Sequence, residues 1–220
     1  MLPFLPTLPE NLHQLLGAQP QSLIKHSSAV ARLALDLAKA AGCTPAEQEC
    51  IRLGSLLHDL GKQFIPAAIL EKKGKLTQAE YQCVQHHPSL GHSYLSSFVS
   101  DPTILNTVLY HHECWNGSGY PFGLKGDQIP RGARICALAD VWDALTSERC
   151  YRDAWSPGQA MKYIWVRAGS LFEPKLACLF LNLMEARGLS VRETSPMPVP
   201  VRDIPTLARM AFSGQMSAVP

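Results

Sequence analysis

His58 and Asp59 are neighbours in the stretch Leu56-Leu57-His58-Asp59-Leu60-Gly61-Lys62, and His111-His112 form a second adjacent pair. His26 and His87 stand in two further segments of helical periodicity. Asp140 stands in a fifth, inside Ala137-Leu138-Ala139-Asp140-Val141-Trp142-Asp143. Each alone means little: a lone histidine is usually a surface or satisfied core residue, and an aspartate beside a helix end is usually a cap. Together they say more, because they adjoin strongly apolar stretches such as Leu53–Leu57 and Ile135–Ala139. Charge carried into an apolar interior must be paired or bound to metal. Imidazole and carboxylate donors together suit iron, manganese, zinc or nickel, so the chemistry these residue types offer is that of divalent metal ions.

Helices must position them. Val30, Leu33, Ala34 and Leu37 follow His26 at helical spacing, and Gly42 closes that segment. Pro45 opens a helix carrying Ile51, Leu53 and Leu56, expected to stop at Gly61. Thr77 and Glu80 make a capping box for a helix reaching His86 and His87, which Pro88 should kink or end. Asp101-Pro102 starts a helix ending near His111-His112. Four glycines and a proline make Glu113 to Gln128 a loop. Pro130 begins a long helix through Asp140 and Asp143, Ser156-Pro157 caps another, and Pro174 begins one ending by Gly188. Strand signals are nearly absent, so the expected architecture is a compact all-α domain. Beyond Gly188 periodicity fades, and Ser195 to Pro205 holds four prolines. Residues 189–220 therefore read as a flexible, Pro-rich C-terminal tail.

With 220 residues the chain favours one domain plus tails. A net charge of +2 implies no general polyanion-binding surface, which argues against a DNA- or RNA-polymer partner. The seven cysteines show no CxxC spacing and read as scattered reduced thiols. Met1 to Glu10 makes a poor signal peptide, and no apolar run approaches the about 20 residues needed to span a bilayer. The expected location is cytoplasmic, without membrane association.

His26, His58-Asp59-Leu60-Gly61-Lys62, His87-Pro88, His111-His112-Glu113, Gly119-Tyr120-Pro121 and Asp140, in this order, resemble the HD-GYP family of phosphodiesterases, a branch of the HD superfamily. The resemblance runs from about Ser22 to about Met184 and includes the linking segments Ile129–Ile135 and Asp143–Ser147. It implies an HD-domain helical bundle at 21–188 with a Gly-Tyr-Pro loop, preceded by an N-terminal extension at 1–20. It implies that His26, His58, Asp59 and Asp140 hold one metal. His87, His111 and His112 hold the second, with Asp59 bridging the two. His87 is preferred to His86 because the family ligand directly precedes the proline. Asp59 and Lys62 fall at catalytic positions. Lys62, Arg149 and Arg152 match residues that contact substrate phosphate, and Tyr120 belongs to the loop that shapes the substrate pocket. The implied cofactors are two divalent ions, iron or manganese. The implied reaction is hydrolysis of cyclic di-GMP to linear pGpG, with further cleavage to GMP left open, by a hydroxide held between the metals. The physics agrees: two divalent ions outweigh two aspartates and attract a phosphodiester, and a water between two cations loses a proton readily. Gly117, Gly119 and Pro121 fix an unusual loop path from which Tyr120 can present its ring or hydroxyl.

Some family members place a glutamate, a ligand to a third metal, where this chain has Ser22; the expectation here is a two-metal site. Cys150 stands where proline is common and Glu173 where aspartate is common. No sensor or receiver sequence is recognisable ahead of the catalytic part, so regulation is expected through the tails, a protein partner or expression level. Homo-oligomer formation stays open. Trp115, Trp142, Trp155 and Trp165 read as packing groups, with Trp115 the one candidate for base stacking. Two competing functions remain: hydrolysis of another phosphoester or of a mixed cyclic dinucleotide, and a weakly active, nucleotide-binding signalling adaptor.

Overall fold

The computed structural model describes residues 21–148 and 153–190. The expected N-terminal extension at 1–20, Arg149, Arg152 and everything after 190 lie outside the described residues. Among the described residues the regular elements are helices, as the sequence periodicity predicts: α1 (Gln21–Ala40), α2 (Pro45–Leu57), α3 (Ala67–Leu70), α4 (Gln78–Gln85), α5 (His87–Leu95), α6 (Pro102–Tyr110), α7 (Arg131–Thr146), α8 (Pro157–Arg167) and α9 (Pro174–Ala186), with 3-10 turns at Leu60–Phe64 and Gly126–Gln128.

Local chemistry sets most starts. The Thr44 hydroxyl accepts from the Glu47 N–H while the Glu47 carboxylate accepts from the Thr44 N–H. The same reciprocal box stands at Thr77/Glu80 and Ser156/Gln159. Asp101 accepts from the N–H groups of Thr103 and Ile104 at the start of α6. Two expected boundaries move. The helix expected to reach Gly61 stops at Leu57, and the chain tightens into the first 3-10 turn. The helix expected to reach His87 ends at Gln85, so that Pro88 lies in the first turn of α5. A proline has no N–H to donate, which a first turn tolerates and a helix interior does not.

α7 is buried on nearly all sides, through Ile135, Cys136, Leu138, Ala139, Trp142 and Leu145 among others, and is the central helix of the bundle. α1 and α6 pack on it, and α2 packs on both of those. The approach is close where glycines meet Thr107 of α6. A Cβ on Gly54 of α2 would lie 2.7 Å from Thr107 Cβ, and one on Gly132 of α7 would lie 2.4 Å from its Oγ1. The main core joins α1, α7, α8 and α9 around Leu37, Leu138, Met161 and Phe180. A second cluster, with Leu56, Leu57, Leu60, Leu95 and Val108, seals the back of the histidine-bearing helix ends. A small third core of Ile65, Leu76, Tyr81 and Val84 holds α3 and α4 together. Trp142 and Trp155 are buried in the main core, as expected, whereas Trp165 is exposed on α8. No described helix is long and apolar enough to cross a membrane.

Candidate metal centre

Three histidines use helix ends in the same way. His58 and His111 are the C-caps of α2 and α6, and His87 is the first residue of α5. Each ring meets a carbonyl three residues earlier: His58 Nδ1 lies 2.7 Å from Ser55 O, His87 Nδ1 2.8 Å from Val84 O, and His111 Nδ1 2.8 Å from Val108 O. A carbonyl only accepts, so each Nδ1 carries the proton and each Nε2 presents a lone pair. His86 directs its Nδ1 to Gln82 O and is exposed, away from this convergence. Ser22 is exposed on the first turn of α1.

His26, on α1, is held differently. Its Nδ1 lies 2.6 Å from Asp143 Oδ2, and its Nε2 lies 3.2 Å from Asp140 Oδ1 and 3.7 Å from Asp59 Oδ2. Asp143 also accepts from the Ser147 hydroxyl at 3.1 Å. This aspartate was not singled out from sequence; its signal was the spacing of three from Asp140, which puts both carboxylates on one face of α7.

The seven residues that resemblance implied as ligands meet in one buried place. Donor atoms of His26, His58 and Asp140 lie within 4.8 Å of one another, as do those of His87, His111 and His112, and those of His58, Asp59 and His111. Asp59, only 2% exposed, stands between the first two groups. Its Oδ2 is 3.3 Å from His58 Nε2 and faces His26, and its Oδ1 is 3.5 Å from His87 Nε2.

These residues fit divalent cations. His58 Nε2 is buried with no hydrogen bond among the described residues, and it faces a carboxylate oxygen. His87 Nε2 and His111 Nε2 face each other at 3.3 Å although both Nδ1 atoms are engaged with carbonyls. Lone pair against lone pair, buried, is unfavourable unless a cation lies between them. Protonation agrees. Burial depresses His87 and His112 well below the ordinary imidazole range and His111 to about 4, leaving neutral donors. Burial alone would raise Asp59, but the neighbouring His58 ring and the Lys62 ammonium hold it well below the usual carboxylate range. Burial opposes ionisation of Asp140 too, and the hydrogen bond from His26 overcomes it. His26 is the exception: burial would lower it, but Asp140 and Asp143 raise it to about 9.

Lys62 was expected to face substrate phosphate. Here its ammonium pairs with Asp59 Oδ2, one turn away on the 3-10 segment.

Glu113 fastens the Gly-Tyr-Pro loop to the His111-His112 pair. Its buried carboxylate accepts from the N–H groups of Phe122, Gly123 and Leu124 at 2.8, 3.1 and 3.0 Å. Gly119 is pressed against Glu113 and Cys114 so closely that a Cβ would lie 2.4 Å from the Cys114 nitrogen. Tyr120 then stacks on His112, with ring centroids 4.7 Å apart and planes 27° apart. Trp115 packs against the Arg134 guanidinium, which also pairs with Glu173. A cavity of about 240 Å³ opens beside His111, His112 and Asp140, between the loop, α4, α7 and α8.

A family model described as HD domain matches residues 10–176, and the chain belongs to this HD domain family. Within it, the motif-based resemblance to HD-GYP phosphodiesterases is matched by named relatives. The chain is 41% identical over 143 residues to the cyclic di-GMP phosphodiesterase response regulator RpfG of Xanthomonas campestris, covering 63% of this chain and 37% of that protein. It is 38% identical over 176 residues to 3'3'-cGAMP-specific phosphodiesterase 2 of Vibrio cholerae, covering 78% of this chain and 33% of that protein. The chain thus spans about a third of these relatives' length. A solved HDG"Y"P protein from Bdellovibrio bacteriovorus, Bd1817, shares the fold with a TM-score of 0.62 at 22% identity, over 74% of this chain and 52% of that one.

Proposed function

We propose that this chain is a metal-dependent phosphodiesterase that hydrolyses cyclic di-GMP to linear pGpG. The observation that carries the reading is the division of Asp59 between two donor groups, one oxygen toward His26 and His58 and the other toward His87. In this proposal His26, His58, Asp59 and Asp140 would hold one divalent ion and His87, His111 and His112 the other, with iron or manganese suited to this mixture of imidazole and carboxylate. When bound, such a pair supplies the charge that polarises a phosphodiester and acidifies water. The remaining residues do the rest. The carbonyls of Ser55, Val84 and Val108 and the carboxylate of Asp143 fix the ligand rings before substrate arrives. Lys62 adds a cation beside Asp59 and would contact a phosphate oxygen, and Arg149 and Arg152 would add planar forks for further phosphate oxygens. Tyr120, braced on His112 by the Glu113-fastened loop, would form one wall of the substrate pocket.

A second reading has specific support: relatives 38% and 36% identical to this chain are named as specific for 3'3'-cGAMP, so a mixed cyclic dinucleotide is the alternative substrate. The test is metal analysis of protein purified without oxygen, coupled to turnover of cyclic di-GMP and 3'3'-cGAMP. Two equivalents of metal and release of linear dinucleotide are expected. Metal-replete protein that turns over neither would sink the proposal.

A further inference from the structure

The cavity beside the metal centre is lined by His111, His112 and Asp140 and, beyond the ligand set, by residues of α4, α7 and α8. Its walls are largely apolar or aromatic: Tyr81, Tyr120, Val141, Tyr163, Leu171 and Phe172. At about 240 Å³ it is smaller than the roughly 300–1,000 Å³ of sites that enclose a drug-sized ligand, so it suits one flat group rather than a whole dinucleotide. A phosphodiester at the histidine cluster would place an attached base at its mouth.

Some polar groups of the lining are already engaged. Glu113 accepts the three loop N–H groups, and the Ser118 hydroxyl donates to Asn116 Oδ1 at 2.7 Å. The buried Tyr120 and Tyr163 hydroxyls have no hydrogen-bond partner among the described residues, but each offers a single point of contact. Gln85, the last residue of α4, is different. It lines the cavity half-buried, and no described residue bonds its side-chain amide. It places a donor and an acceptor side by side, the pair needed to meet a nucleobase edge at two points.

We propose that this cavity receives one purine base of the cyclic dinucleotide, stacked among its aromatic walls, and that Gln85 reads the base's edge. The inference rests on the phosphodiesterase reading above and adds the determinant of base choice. An amide can turn over. One orientation accepts from the N1–H or N2–H of guanine and donates to O6; the other donates to adenine N1 or N7 and accepts from its N6 amine. Gln85 thus admits either purine, and the site is tolerant by construction. A carboxylate only accepts, so Gln85→Glu suits the N1–H and N2–H pair of guanine and opposes the ring-nitrogen acceptors of adenine. A mixed dinucleotide can always offer its guanine, so the symmetrical molecules discriminate best.

The experiment uses the manganese-loaded chain and reads initial rates of cyclic di-GMP hydrolysis against increasing cyclic di-AMP, with metal content measured in every variant. For the unmodified chain, cyclic di-AMP should compete at concentrations within about tenfold of the KM for cyclic di-GMP. Gln85→Glu should raise the competing concentration, relative to that KM, by about tenfold or more, the discrimination expected of one two-point base contact. Gln85→Met should weaken both dinucleotides together and leave their ratio in place. General damage to the site would lower all rates without moving the ratio in Gln85→Glu. An unmoved ratio in a variant that keeps its metal overturns the role of Gln85 while leaving the phosphodiesterase reading intact. If the unmodified metal-loaded chain neither hydrolyses cyclic di-GMP nor binds cyclic di-AMP, both are overturned.

Discussion

Asp59 and Asp143 are both aspartates against histidine, yet their positions predict different failures. Asp59 faces both donor groups, and an amide in its place keeps the shape but loses the charge shared between two cations. Asp59→Asn is expected to empty both metal positions and reduce turnover by more than about 100-fold, beyond the cost of an outer-shell partner. Elemental analysis showing two retained ions would make Asp59 a helix-end residue only. Asp143 touches His26 alone among the ligands, at 2.6 Å. Asp143→Asn is therefore expected to weaken metal binding about 10- to 100-fold, as outer-shell losses do, while His87, His111 and His112 keep their arrangement. It should also change the pH dependence. His26 holds its proton up to about 9, so a metal entering beside it must displace that proton, and affinity should rise with pH up to about 9. With a neutral partner at position 143 the rise should level off at lower pH. Competition with a chelator across this range reads both effects, and an unchanged profile would remove Asp143 from its positioning role. The ligand types were legible in the sequence, but this partnership was not, because it joins residues 117 apart in the chain.

At the scale of elements, the sequence showed where helices begin better than how they meet. Thr44, Thr77, Asp101 and Ser156 each cap a helix where capping chemistry predicts one. α3 has four residues, too few for periodicity to register. Gly61 looked like a helix stop, and packing shows a different duty. A Cβ there would lie 1.9 Å from His87 O and 2.6 Å from Gly91 N, both backbone atoms. The turn after Asp59 thus lies directly on the start of α5, and this contact sets the spacing of Asp59 from His87. Gly61→Ala cannot be relieved by a side-chain rotation, so α5 or the turn must shift. Overpacking of this kind costs about 1–3 kcal/mol, which for a chain this long lowers Tm by roughly 2–4 °C per kcal/mol. The loss should be accompanied by reduced metal content at the His87 group. A variant with unaltered melting and metal content would show that the turn and α5 accommodate a methyl group freely. Glu113 carries a comparable duty for the loop, again through contacts nine or more residues along the chain.

For the whole molecule, the arrangement couples folding to metal. The apolar bundle was readable from periodicity, and the ordered motif set pointed to the cluster, but the cavity was not legible, since Tyr81, Gln85 and Tyr163 come from α4 and α8, where nothing marks them. The central helix carries Asp140 and Asp143 into the core, and α1, α2, α5 and α6 bring their histidines to the same point. Without metal the folded chain must bury facing lone pairs, with Lys62 and protonated His26 the cations beside them among the described residues. Cations that bind the folded state and not the unfolded one stabilise it by about 4 kcal/mol when free metal is a thousandfold above Kd. That corresponds to a rise in Tm of roughly 8–16 °C at 2–4 °C per kcal/mol. The gain should depend on pH in a definite direction. His26 is raised from 6.5 to about 9, so in the metal-free chain its proton stabilises the fold fully below 6.5, and that contribution is lost as pH rises through about 9. Metal displaces the same proton, so the metal-bound form does not share this loss. The difference in Tm between manganese-loaded and chelator-treated protein should accordingly widen from neutral pH toward about 9. Melting curves with and without chelator at several pH values test this directly. A difference that stays constant or narrows over that range would mean that His26 is not among the groups that metal displaces a proton from, and would move the first ion away from α1.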